Sequence, residues 1–150
     1  MSRVFFEQVV EALVGFLPPE RQPFSSRVSG RNVKVWFGAE AREHYEVQML
    51  RQDGVPLLEV GFHAEHPDAV RNQEVLSRLA AAERRWRRTL GPEVETGPFL
   101  GRAGAWRRAS ETWEGVELSD LGAAVDAADR LAEYITVFEP LRAGPESERA

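Results

Sequence analysis

The residues of this chain best placed to do chemistry lie between His44 and His66, in HYEVQMLRQDGVPLLEVGFHAEH. This stretch holds all 3 histidines. It also carries Glu46, Glu59 and Glu65 at short, even spacing. Imidazole and carboxylate groups in that mixture suit two tasks: ligating a divalent metal ion, or general acid–base catalysis between groups that shift one another's pKa values. Either needs the groups to converge, so the question passes to what the backbone does. Asp53-Gly54 sits between two alternating apolar runs, and a tight primed turn needs positive φ at both central positions, which makes this a β-hairpin signal.

A two-residue turn at Asp53-Gly54 fixes the register. Met49 then faces Leu58, Val47 faces Val60 and Tyr45 faces Phe62 on one side of the hairpin. Gln48 faces Glu59, Glu46 faces Gly61, His44 faces His63 and Arg42 faces Glu65 on the other. A slip of one residue would set every apolar side chain against a polar partner, so the pairing is well specified. Directly opposed residues hold their Cβ atoms about 4.5–5.5 Å apart, near enough for two imidazoles to share one ion. His44, His63, Glu46 and Glu65 are therefore the candidate metal ligands, with a divalent metal as the one cofactor the sequence suggests. Glu46, Glu59 and His63 are the candidate acid–base set. His66 has the wrong parity to join either while the strand stays extended.

The same face carries large apolar side chains. Trp36, Leu50 and Leu57 share its parity with Lys34, Gln48 and Glu59. Apolar residues exposed among polar ones mark binding or oligomer surfaces, unless the N-terminal loop or the Phe99-Leu100 segment folds over them. Trp36, Glu46, Gln48, Glu59 and His63 thus form a candidate ligand or partner face. Lys34, the only lysine, is the sole candidate for Schiff-base chemistry and has no special surroundings in the sequence.

Composition excludes several function classes. With 0 cysteines there is no disulfide framework, thiolate metal site, Fe–S cluster or cysteine nucleophile. A net charge of −5 argues against nucleic acid as the main partner, because phosphate binding works by neutralisation with Lys and Arg. Arg84, Arg85, Arg87 and Arg88 beside Trp86 read as the solvated, dipole-complementing end of a helix, with Trp86 in the core. Gly101-Arg102-Ala103-Gly104 lacks the Gly-Lys-Ser/Thr of a phosphate loop, and Ser25, Ser26, Ser110 and Ser119 lack a nucleophile elbow. No apolar run approaches the ~20 residues of a membrane span, and Glu7 and Glu11 interrupt the N-terminal stretch at helical spacing. A cytoplasmic location is the expectation.

The elements that must position the hairpin follow from periodicity. Ser2 caps a helix to about Leu17, ended by Pro18-Pro19. Residues 20–31 form a connection with a short extended piece near Phe24–Val28, and Asn32–Phe37 alternates as a strand. After the hairpin, one helix spans Pro67 to about Leu90 with Leu76, Leu79, Ala80, Trp86 and Leu90 inward, stopped by Gly91-Pro92. Residues 93–113 supply one or two strands, the clearer being AWRRASETW. Ser119 caps a last helix to about Phe138, carrying the cleanest apolar stripe in the chain and ended by Glu139-Pro140. Residues 1–142 make one domain, and 143–150 read as a disordered tail.

The fold expected is α+β: an antiparallel sheet of four to five strands with helices packed on one face, in the order α-β-β-β-α-β(-β)-α. That order of elements resembles the small acidic chaperone domains of type III secretion, and the resemblance implies a dimeric chaperone or adaptor. The first functional expectation is accordingly a non-enzymatic, homodimeric protein-interaction module. The alternative is a metal- or small-ligand-binding domain, with enzymatic activity possible in principle, built on the polar face of the hairpin.

Overall fold

The computed structural model describes the backbone of residues 2–148 and the side chains of residues 2–142. Among these residues four α-helices and six strands follow in the order α1 (Ser2–Phe16), β1 (Ser25–Val28), β2 (Asn32–Trp36), β3 (Glu43–Gln52), β4 (Val55–Ala64), α2 (Ala69–Ala80), α3 (Glu83–Leu90), β5 (Glu95–Pro98), β6 (Arg107–Glu114) and α4 (Leu121–Glu148). The strands form one antiparallel sheet in the order β1-β2-β3-β4-β6-β5. This is an α+β architecture. The sheet has six strands where four to five were expected, because both the piece after Phe24 and the piece before Phe99 pair.

The β3–β4 hairpin lies at the centre of the sheet and closes as its sequence requires. Asp53 takes φ 52° and Gly54 φ 78°, a primed turn, and every pair predicted within the ladder forms, His44 opposite His63 included. The pairing continues past Ala64, since Glu65 N–H donates to Arg42 O at 2.8 Å. At Gly61 the strands approach so closely that a Cβ would lie 2.5 Å from Ser110 Cα on β6, so glycine is obligatory there.

One face of the sheet is apolar and covered by helices. Val33, Val35, Tyr45, Val47, Leu58, Val60, Phe62 and Ala109 pack against Phe5, Phe6, Val9 and Leu13 of α1 and Leu131, Ile135 and Phe138 of α4. Side chains of this size each contribute about 1.5–3 kcal/mol when fully buried. Helices α2 and α3 add Leu76, Leu79, Trp86 and Leu90 beside α4.

Four local expectations give way. The helix expected over 67–90 is two, broken at Ala81-Ala82. There Leu79 O accepts from Ala82 N–H and from the indole Nε1 of Trp86, at 2.9 Å, in place of the next turn of helix, and this swings Trp86 into the core. Ala80, expected inward, is exposed. Gly122 N–H donates to Asp120 Oδ1, so Asp120 rather than Ser119 caps α4. Pro140 does not end α4, which runs to Glu148 through the expected tail; residues 149 and 150 lie outside the described residues. The turn carrying Pro140 is held from outside the helix, by Arg142 on Glu43 of β3 and by Arg78 of α2 on Arg142 O. Among the described residues, no helix is long and apolar enough to cross a membrane.

Candidate metal centre

The other face of the sheet carries charge, and it is buried too. His44, Glu46, Glu59 and His63 are each no more than 2% exposed. Alternation brings them to this side, since the residues between them, Tyr45, Val60 and Phe62, point to the helices. The cover is local: the segment between β5 and β6 folds back so that Phe99 lies edge-on to the His63 ring, centroids 5.0 Å apart, with Trp106 behind it at 5.1 Å. Gly101 lets this segment close, since a Cβ there would overlap the Phe99 ring.

Within this layer four atoms form a ring in which nitrogen and oxygen alternate. Glu46 Oε1 stands 2.9 Å from His44 Nε2 and 3.0 Å from His63 Nδ1. Glu65 Oε2 stands 3.4 Å from His44 Nε2 and 3.1 Å from His63 Nδ1. All four ligand atoms lie within 4.8 Å of one another. The four residues singled out from the sequence as metal ligands therefore do converge.

What surrounds the ring orients it. His44 Nδ1 donates to Ala41 O at 2.9 Å, and His63 Nε2 donates to Glu59 Oε2 at 2.8 Å. Glu59 is itself fixed by Gln48 Nε2 on Oε1 at 2.6 Å and by the Ser110 hydroxyl on Oε2 at 2.5 Å; Arg108 Nη1 in turn donates to Ser110 Oγ. The outer oxygen of Glu46 accepts from Asn32 Nδ2 at 2.8 Å, and that of Glu65 from Lys34 Nζ at 3.2 Å. Each carboxylate therefore presents one oxygen inward and has its other one occupied.

This arrangement dictates protonation. Without a metal, every partner of the two imidazoles is an acceptor, so each ring must carry both protons. Burial pushes both histidines down, yet Glu46 and Glu65 around His44, and Glu59 and Glu46 around His63, outweigh it and hold both above the ordinary 6.5, His63 well above. Burial likewise would raise the carboxyls, but the facing imidazoliums win: Glu46 falls well below 4.5, Glu59 is lowered, and Glu65 is brought to about 2. Three carboxylates are balanced by two imidazoliums and Lys34.

Of the residues expected to present a partner face, Glu46, Glu59 and His63 are buried and bonded within the chain, while Trp36 and Gln48 remain half-exposed. Leu57 is buried. His66 stays out of the cluster, as its parity requires, pairing with Glu43 at 2.7 Å. Lys34 has special surroundings after all, on the rim of the ring. Asn32, Lys34 and Ser110 are the supporting residues that sequence reasoning did not assign. Asn32 and Lys34 could have been found, because β2 sets Lys34 opposite Glu46 and Asn32 opposite Gln48; Ser110 could not, without the pairing of β6. Compared with protein families, with curated proteins and with solved structures, the chain matches none, so the resemblance in element order gains no further support.

Proposed function

We propose that this protein is a divalent-metal-binding domain whose ion sits between His44 Nε2, Glu46 Oε1, His63 Nδ1 and Glu65 Oε2. One observation carries the reading: both histidines aim one nitrogen into the ring and donate the other, one to a backbone carbonyl and one to a buried carboxylate. Metal-ligating histidines are held in this way, because the outer hydrogen bond fixes the tautomer and raises the basicity of the ligating nitrogen. Charge supports it. Exchanging one proton from each imidazolium for a divalent ion leaves the ring's balance unchanged, with two positive charges removed and two added.

Two imidazoles and two single-oxygen carboxylates form an N₂O₂ set without sulfur, suited to zinc and similar divalent first-row ions rather than to Cu(I). Four protein donors fill a tetrahedral shell, and a filled, covered shell is the mark of a structural site; a catalytic one keeps a position open. We read the ion as part of the fold and the protein as non-enzymatic.

Native mass spectrometry tests this. The expected result is one zinc per chain, removed by EDTA, regained on adding zinc, and missing in His63→Ala. A wild-type chain that takes up no zinc from a micromolar solution at neutral pH would overturn the reading. The same spectrum bears on the interaction-module alternative, which a dimer mass would support. Its remaining candidate anchors are Trp36 and Leu50, both half-exposed, and an unchanged oligomer in Trp36→Glu would remove Trp36 from any interface.

A further inference from the structure

The four ligands are not equally covered, and the inequality points to a way in. Glu46, His44 and His63 side chains are 3%, 1% and 0% exposed, whereas that of Glu65 is 7% and Lys34 beside it 29%. On the His63 side, Phe99 and Trp106 close the ring off. On the His44 side, the backbone at Ala41 does so. Glu65 also stands just past the end of β4, where the chain leaves the sheet for α2. It is the one ligand outside the two strands themselves.

Resting on the metal reading above, we propose that the ion enters at this rim and that Lys34 is the latch. Its ammonium holds Glu65 Oε1 at 3.2 Å and so keeps the inner oxygen of Glu65 aimed at the two imidazoles. The same positive charge stands at the mouth and opposes an arriving cation. Release of the Lys34–Glu65 pair lets Glu65 reach outward, take a hydrated ion and return with it to His44 and His63. Lys34 is thus a positioning residue that never ligates. It also completes the loaded site's charge, since a divalent ion plus Lys34 offsets Glu46, Glu59 and Glu65. Electrostatic control of this kind changes association rates before it changes stoichiometry.

The test is stopped-flow zinc uptake by the EDTA-stripped full chain, competed against a chromophoric chelator, after native mass spectrometry has established zinc binding by the wild type. Lys34→Met keeps the length of the side chain without its charge and should take up zinc about tenfold faster. Lys34→Arg, which keeps the charge, should remain near wild type. Arg51→Met, which removes a cation from the exposed turn end of the hairpin, should leave uptake unchanged. Uptake in Lys34→Met no faster than wild type, or an equal acceleration in Arg51→Met, would overturn the latch while leaving the metal site standing. A wild type without zinc would remove the site itself, and the latch with it.

Discussion

The two faces of one sheet are both buried, and they are buried by different physics. On the helix side, Tyr45, Val47, Val60 and Phe62 exchange water for close-packed neighbours, and stability follows from volume. On the other side, His44, Glu46, Glu59 and His63 sit one residue along the same two strands and exchange water for partners of opposite charge. The apolar face is a sum of many interchangeable contacts. The polar face is a closed set in which each group depends on the next, because a buried charge without its partner costs far more than a missing methyl group. A site of that second kind gains little for the fold over apolar side chains of the same size, which is a physical reason to expect that it binds something.

The largest predicted effects separate the faces outright. Phe62→Ala empties a position between Tyr45, Phe138 and Arg142 and should destabilise the chain by about 3–5 kcal/mol in urea, with zinc stoichiometry unchanged. His63→Ala should abolish zinc binding. Loss of zinc from the first variant as well would break the division.

pH sharpens it next. Both imidazoles have folded pKa values above the ordinary 6.5, so their contribution to stability is complete below that value and fades as pH rises through the raised ones. The carboxylates have values below the ordinary 4.5, so theirs is present above 4.5 and is lost as acid reaches the lowered values, about 2 for Glu65. The metal-free protein should therefore be most stable between these limits and weaken toward alkaline pH. Zinc, which replaces one proton on each ring, should bind up to about a hundredfold more tightly per pH unit until the raised values are passed. Melting curves with and without zinc should diverge as pH rises. Phe62→Ala should lower both curves without changing their divergence.

How far the sequence discloses this structure follows the same division. The hairpin register and the meeting of His44 with His63 were legible, because Asp53-Gly54 and strict alternation are local signals. The burial of that pair was not. Polar residues on one strand face read as solvated, and the cover over His63 comes from the return of Phe99 and Trp106 out of a segment with no periodicity. The break at Ala81-Ala82 was hidden for the same reason, since an indole bonding a carbonyl seven residues back leaves no local mark. Pro140 is a strong local stop that tertiary contacts override.

The next smaller effect concerns the support around the ring. Glu59 touches only His63 among the ligands, so Glu59→Gln keeps the shape but weakens the acceptor, and zinc affinity should fall about 10–100-fold. Rescue by Glu59→Asp would not be complete, because the shorter arm cannot serve His63 and Ser110 together.

The smallest effect lies one shell further out. Gln48 is half-exposed and gives Glu59 one of its three hydrogen bonds. Gln48→Ala leaves His63 and Ser110 in place, and water can reach the freed oxygen from the open side, so the loss should be about 0.5–1.5 kcal/mol in urea. Zinc affinity should move by less than in Glu59→Gln, and in the same direction. If the two variants instead weakened zinc equally, the ring would be coupled to its surroundings as one rigid unit, and the polar face would tolerate no change at any depth. A graded response, large at His63, moderate at Glu59 and small at Gln48, would show that dependence between groups falls off within two hydrogen bonds of the ion.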